Sequence, residues 1–183
     1  RARRARPRSE TARMIGFVGL SHLGIVSSIA TASKGHDGVV GFDPNGELCA
    51  DLARGKFPIF EKGLSELLRD SSPRIQFTSD PDALKNCGVI YISLDIATDD
   101  ENRGSLDAFY SLFDIAAAHA SAGAILVVLS QLQPGTTRRL LAKMARELKL
   151  FYQVETLIFG NAVERALPPE RFIVGWADPA QPL

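Results

Sequence analysis

Between Met14 and Gly24 the chain reads Met-Ile-Gly-Phe-Val-Gly-Leu-Ser-His-Leu-Gly, an apolar run that breaks into a turn with glycine at both ends. Few local sequences restrict a fold as tightly. A strand must stop and hand over to a helix whose first turn lies against it. Gly19 permits the tight turn, Gly24 lets the helix pack closely on the strand, and a small residue at Ser21 lets a phosphate approach the backbone. Free N–H groups and the positive end of the helix dipole favour an anion there. The pattern is G-x-S-x-x-G, with Ser21 in place of a middle glycine. Taken alone, such a turn is equally well a plain strand-to-helix connection.

The next acidic residue separates the two readings. After a helical run with apolar residues at Leu23, Val26, Ile29 and Ala30, the chain reads Gly-Val-Val-Gly-Phe-Asp from Gly38 to Asp43, a second buried strand ending in a carboxylate. Asp43 follows Gly24 by 19 residues, the spacing at which an acid accepts hydrogen bonds from adenosine ribose hydroxyls and repels the 2′-phosphate of NADP. The residues therefore point to NAD. The alternative is that Asp43 only caps an Asp-Pro-Asn-Gly turn.

The rest of the chain keeps one rhythm. A helix is expected over Glu47–Arg54, then a Pro/Gly loop and a short helix ending near Leu68, a strand at Ile75–Phe77, and a helix from the Thr78-Ser-Asp-Pro81 cap through Asn86. Gly88–Ile92 suits a central parallel strand with both faces covered. Ligands of doubly wound sheets sit outside the carboxyl ends of strands, so Ser93, Leu94, Asp95 and the loop through Thr98 are expected to border the nucleotide. Leu106, Phe109, Phe113, Ala116 and Ala120 share one face of a covering helix. Ala124–Leu129 is the next buried strand, Leu140, Leu141, Met144 and Leu148 mark a further helix, and Phe151–Glu155 is the last strand. This alternation gives an α/β fold, a doubly wound, Rossmann-type parallel sheet with helices on both faces.

Charge and cysteines bound the function classes. Six of the 21 basic residues are arginines within the first 13 positions, where only Glu10 is acidic; the remainder carries 15 basic and 20 acidic residues, a net of −5. That balance argues against a nucleic-acid partner for the body. Residues 1–13 are expected to be disordered, as upstream or vector-derived sequence, with an organelle-targeting or nucleic-acid-binding arm as the alternative. No apolar run reaches membrane-spanning length, so a soluble, cytoplasmic protein without membrane contact is expected. Cys49 and Cys87 share no motif with each other or with histidines, so neither a metal site nor a disulfide framework is indicated.

Four stretches together resemble the N-terminal NAD-binding domain of the UDP-glucose and GDP-mannose (nucleotide-sugar) dehydrogenase family. They are the Met14–Gly24 turn, Pro58-Ile-Phe-Glu-Lys-Gly-Leu-Ser-Glu-Leu-Leu68, Ser130-Gln-Leu-Gln-Pro-Gly-Thr136, and the run Gln153–Glu164, with Arg171-Phe-Ile-Val-Gly175 resembling the segment that closes that domain. The resemblance spans Met14 to about Gly175 and keeps the motifs in order.

The resemblance implies oxidation of a sugar-nucleotide C6 alcohol to a uronic acid with two NAD, through a thioester on a cysteine of a glycine-flanked C-terminal motif. It also implies a homodimer built through a central helix. Nothing like the cysteine motif occurs here, so residues 14–183 are expected to be the cofactor half, with the sugar-nucleotide domain lying elsewhere. By motif position Glu155 is the catalytic candidate, handling protons and water near the reacting carbon; otherwise it ends a strand and caps the segment after it. Ser130 is expected on the nicotinamide side, with Gln131 beside it in place of a threonine. His22 stands at a tyrosine position of the phosphate turn and reads as a solvated cap. Phe159 replaces a glutamate, and Leu48 a basic residue on the adenosine side. The cofactor-binding set is thus Gly19, Ser21, His22, Leu23, Gly24, Asp43, Ser93, Leu94, Asp95, Thr98, Ser130 and Gln131. Two alternatives remain, a non-catalytic nucleotide-binding or interaction module and a site for S-adenosylmethionine; the loop and Ser130 motifs disfavour the latter.

Overall fold

A computed structural model describes residues 14–36, 38–96, 105–144 and 147–177. Among the described residues seven strands form one sheet, β1 (Met14–Val18), β2 (Val39–Phe42), β3 (Ile75–Thr78), β4 (Cys87–Ile92), β5 (Ile125–Val128), β6 (Lys149–Gln153) and β7 (Val174–Trp176). Their spatial order is β3-β2-β1-β4-β5-β6-β7. The order reverses between β1 and β4, so the carboxyl ends of these two strands flank the crevice where a doubly wound sheet takes its ligand.

The helices are α1 (His22–Ser33), α2 (Gly46–Ala53), α3 (Leu64–Ser71), α4 (Asp107–His119), α5 (Thr136–Lys143) and α6 (Ala162–Ala166). Right-handed crossovers put α1, α2 and α3 on one face and α4 and α5 on the other. Alternate strand residues therefore serve different layers. Val18, Ile90, Ile92, Leu126 and Val128 join Phe109, Phe113 and Leu140 in one core, whereas Phe17, Ile15 and Tyr91 look toward α1, with the Phe17 and Tyr91 rings stacked at 5.0 Å. The outer side of α1 packs on α2, α3 and α6 through Ile25, Ile29, Leu52, Leu64 and Val163. Covered on both sides, α1 buries nine of its twelve residues, which fixes its first turn rigidly against β1.

Several local expectations are corrected. The last strand is β7, not the Phe151–Glu155 segment, and it pairs antiparallel with β6, setting Trp176 opposite Phe151. A three-residue edge strand has no alternation to read and needs no crossover helix. The Pro81–Asn86 segment is 3₁₀, started by Asp80 accepting from the Asp82 N–H at 3.0 Å. Helix α5 stops at Lys143, and Leu148 lies before β6. Strand β4 begins at Cys87, one residue before the expected Gly88. The expectations for residues 1–13 and for Thr98 lie outside the described residues.

Candidate cofactor site

The turn from β1 to α1 is built to the limit of close approach. Gly19 has φ +92°, and a Cβ added at Gly24 would lie 1.9 Å from the Gly19 carbonyl oxygen. Any side chain there would push α1 off the strand. Gly19 itself is hemmed by Leu94, whose Cβ would stand 3.1 Å from an added one. The first helical turn carries no acidic residue of its own. Among the described residues no partner meets the N–H of His22 or Gly24, which leaves donors aimed outward at the dipole's positive end.

Two carboxylates reach this turn from neighbouring loops. Asp43, just past β2, accepts from the Leu20 N–H through Oδ2 and from the Asn45 N–H through Oδ1, each at 2.9 Å. It is therefore a turn residue and also a carboxylate at the carboxyl end of β2. Its oxygens keep lone pairs free for further donors. Asn45 in turn caps α2, accepting from the Leu48 N–H at 3.1 Å. Asp95, just past β4, accepts from the Leu23 N–H at 2.9 Å. Ser21 occupies the N-cap position of α1 without capping it. Its hydroxyl faces the other way, donating to the Ser93 carbonyl at 3.2 Å and accepting from the Asp95 N–H at 2.9 Å.

Ser93 and Ser130 are both fully buried. The Ser93 hydroxyl donates to the carbonyls of Val18 and Gly19, at 3.3 and 3.1 Å, and that of Ser130 to the Ile92 carbonyl at 3.3 Å. These side chains brace the ends of β1 and β4, and neither hydroxyl faces an open cleft. Gln131 and Glu155 do come together, the Gln131 Nε2 donating to Glu155 Oε2 at 3.2 Å. The other Glu155 oxygen accepts from the Leu157 N–H, so the half-buried carboxylate also caps the turn after β6.

His22 is not a solvated cap. It is 8% exposed, its ring lies 4.1 Å from that of Phe159, and its Nε2 donates to Glu61 Oε1 at 2.7 Å. Glu61 is 6% exposed and also accepts from the N–H groups of Gly160, at 2.7 Å, and Ala162, at 3.1 Å. Burial works against its charged form, yet the bonds from His22, Gly160 and Ala162 outweigh burial and hold the carboxyl below the usual glutamate range. One side chain from the Pro58–Leu68 loop thus ties the start of α1 to the start of α6. Sequence reasoning passed over Glu61; its one signal is an acid between Phe60 and Lys62 in a motif loop.

The thiols are closed off. Cys87 is 1% exposed and burial pushes it up to about 11; Cys49 is 3% exposed and is also raised, first by burial. Neither supplies a thiolate near neutral pH. Among the described residues no three His, Cys, Asp or Glu side chains are grouped to hold a metal ion, and no helix is long and apolar enough to cross a membrane.

The glycines, the close helix start and Asp43 fit a dinucleotide, with one donor of the phosphate end already taken by Asp95. Comparison with known proteins agrees with the fold. The family described as UDP-glucose/GDP-mannose dehydrogenase family, NAD binding domain, matches residues 13–182. A UDP-glucose 6-dehydrogenase of Rickettsia typhi is 27% identical over 88% of the chain, and one of Rhizobium meliloti 28% identical over 88%. The chain spans only 38% and 39% of their lengths. A solved UDP-glucose dehydrogenase from Pyrobaculum islandicum superposes with a TM-score of 0.81 at 26% identity, over 95% of this chain and 43% of that one. GDP-mannose dehydrogenase of Pseudomonas aeruginosa shares the fold at a TM-score of 0.80 and 22% identity, over 91% of this chain and 41% of that one.

Proposed function

Because the chain belongs to the UDP-glucose/GDP-mannose dehydrogenase family as its NAD-binding domain, we propose that it is the cofactor half of an enzyme oxidising the C6 alcohol of a UDP- or GDP-sugar to the uronic acid with two NAD. The observation that carries this reading is Asp43, a carboxylate at the end of β2 hydrogen-bonded to the glycine turn through Leu20. It would receive the adenosine ribose hydroxyls and disfavour a 2′-phosphate, while the main chain of Gly19–Gly24 would receive the pyrophosphate. NAD, when bound, supplies the hydride acceptor. The protein's own contribution near the reacting carbon is Glu155, steadied by Gln131, which would take a proton from the water that enters as the acid forms. In this reading residues 14–183 form the cofactor domain. The sugar-nucleotide pocket, the nucleophilic cysteine and a homodimer-forming helix belong to further sequence, and the enzyme works in the cytoplasm.

A second reading is a non-catalytic nucleotide-binding module, with which the burial of both thiols is equally compatible. Calorimetric titration with NAD and NADP tests the common part, with tighter NAD binding expected; tighter NADP binding overturns the role of Asp43. Following NADH absorbance with UDP-glucose, UDP-N-acetylsugars and GDP-mannose tests the rest. No turnover is expected from these 183 residues alone. Turnover that disappears in Cys87→Ser or Cys49→Ser would mean that the chain carries its own nucleophile. Turnover restored when the further sequence is joined to it would decide against the non-catalytic module.

A further inference from the structure

The start of α1 already holds an anion, and the anion is part of the chain. The Leu23 N–H is the second of the helix, the donor that an N-cap side chain normally satisfies. Ser21 is at the N-cap and has the right chemistry, but its hydroxyl is turned toward β4 and holds the Asp95 main chain instead. Asp95 then reaches back and places Oδ2 on Leu23, 2.9 Å away. The serine that interrupts the glycine pattern and the carboxylate after β4 are therefore one device, since Ser21 Oγ fixes the backbone that aims Asp95. Asp95 is exposed, and among the described residues its carboxylate is held by this one donor from α1, so no described core group resists its rotation outward.

We propose that Asp95 is a built-in competitor for the phosphate end of the dinucleotide site. Its carboxylate occupies the helix start while the cofactor is absent and must leave that donor for a pyrophosphate to take it. The inference rests on the reading that this turn receives a dinucleotide. A carboxylate and a phosphate cannot both accept the Leu23 hydrogen, and like charges at one helix terminus repel. Dinucleotide binding is then an exchange of one anion for another, which weakens the apparent affinity by the fraction of molecules in which the site is free.

The test is calorimetric titration of the full chain with NAD and, separately, with inorganic pyrophosphate, on the parent, Asp95→Ala, Asp95→Asn and Ser21→Gly, beside thermal unfolding without ligand. Asp95→Ala is expected to bind NAD about tenfold more tightly, and inorganic pyrophosphate more tightly as well. Its unfolding midpoint without ligand is expected to fall by about 2–4 °C as the helix loses its cap. Asp95→Asn, which keeps an acceptor but no charge, is expected to lie between parent and Ala. Ser21→Gly is expected to shift affinity in the same direction by freeing the Asp95 backbone. Affinity falling in Asp95→Ala while the parent binds would make Asp95 an ordinary cofactor contact and overturn the proposal. Unchanged affinity in both Asp95→Ala and Ser21→Gly would also overturn it. Absence of NAD binding by the parent and by every variant would overturn the dinucleotide reading itself, and this inference with it.

Discussion

The loops after β2 and β4 do the same local thing with opposite consequences. Each lays an aspartate on a main-chain N–H of the same glycine turn, Asp43 on Leu20 and Asp95 on Leu23, both at 2.9 Å. Leu20 precedes the helix, beside β2, where an acceptor is wanted for hydroxyl donors. Leu23 is inside the first helical turn, where the dipole calls for an anion and a cofactor phosphate would compete. On the proposed function, the sign of a carboxylate's effect on binding is set by which donor it accepts from. Residue type and hydrogen-bond length do not distinguish the two.

The largest expected effect removes the feature both loops share. Gly24→Ala would drive a methyl group into the Gly19 carbonyl and is expected to cost about 3 kcal/mol, lowering the thermal midpoint by about 6–12 °C. A shift under about 2 °C would mean that the helix start is looser than the close approach of Gly24 to the Gly19 carbonyl implies. Next comes Glu61→Ala, which strands buried His22 and the N–H groups of Gly160 and Ala162, the latter buried, and is expected to cost about 2–3 kcal/mol. Because the folded carboxyl lies below its ordinary value of 4.5, ionised Glu61 stabilises the fold above that pH, and the contribution is lost as pH falls through the folded value. Glu61→Gln should flatten this acid limb in denaturation measured from about pH 6 downward; an unchanged slope would mean another group sets it.

Affinity effects are smaller. Asp43→Ala is expected to weaken NAD about tenfold, roughly 1.4 kcal/mol, opposite in direction to the same change at Asp95. Identical directions at the two positions would mean that both aspartates act on the cofactor in the same way, and unchanged affinity would reduce Asp43 to a turn residue. Smallest is Glu155→Gln, which should leave NAD affinity within about twofold, because its bonds run to Gln131 after β5 and Leu157 after β6. In a chain that completes the enzyme, the same change should slow the acid-forming step.

Local patterns carried the frame of this fold. Apolar runs announced β1, β2, β4 and β5, and Gly19 and Gly24 announced a turn whose tightness the distances bear out. What escaped the sequence depends on partners far apart in the chain. Ser21 and Asp95 are separated by 74 residues, and Glu61 and Ala162 by 101. No period links such positions, and a polar residue reads alike whether it meets solvent or a distant N–H. Ser130 shows the converse, since its motif marks it out but its burial follows from where β4 ends beneath it. Helix α6 and strand β7, of five and three residues, are too short for a period to emerge.

The two cysteines have a use that no chemistry at the crevice gives them. Cys87 lies in the layer between the sheet and α4, and Cys49 in the layer formed by α1, α2, α3 and α6. Each layer thus carries one silent thiol, and a labelling reagent reaches it only when that layer opens. The rate at which each cysteine is alkylated under native conditions becomes a clock for its own layer. Equal rates would mean that the molecule breathes as one cooperative unit; unequal rates would identify which side of the sheet loosens first.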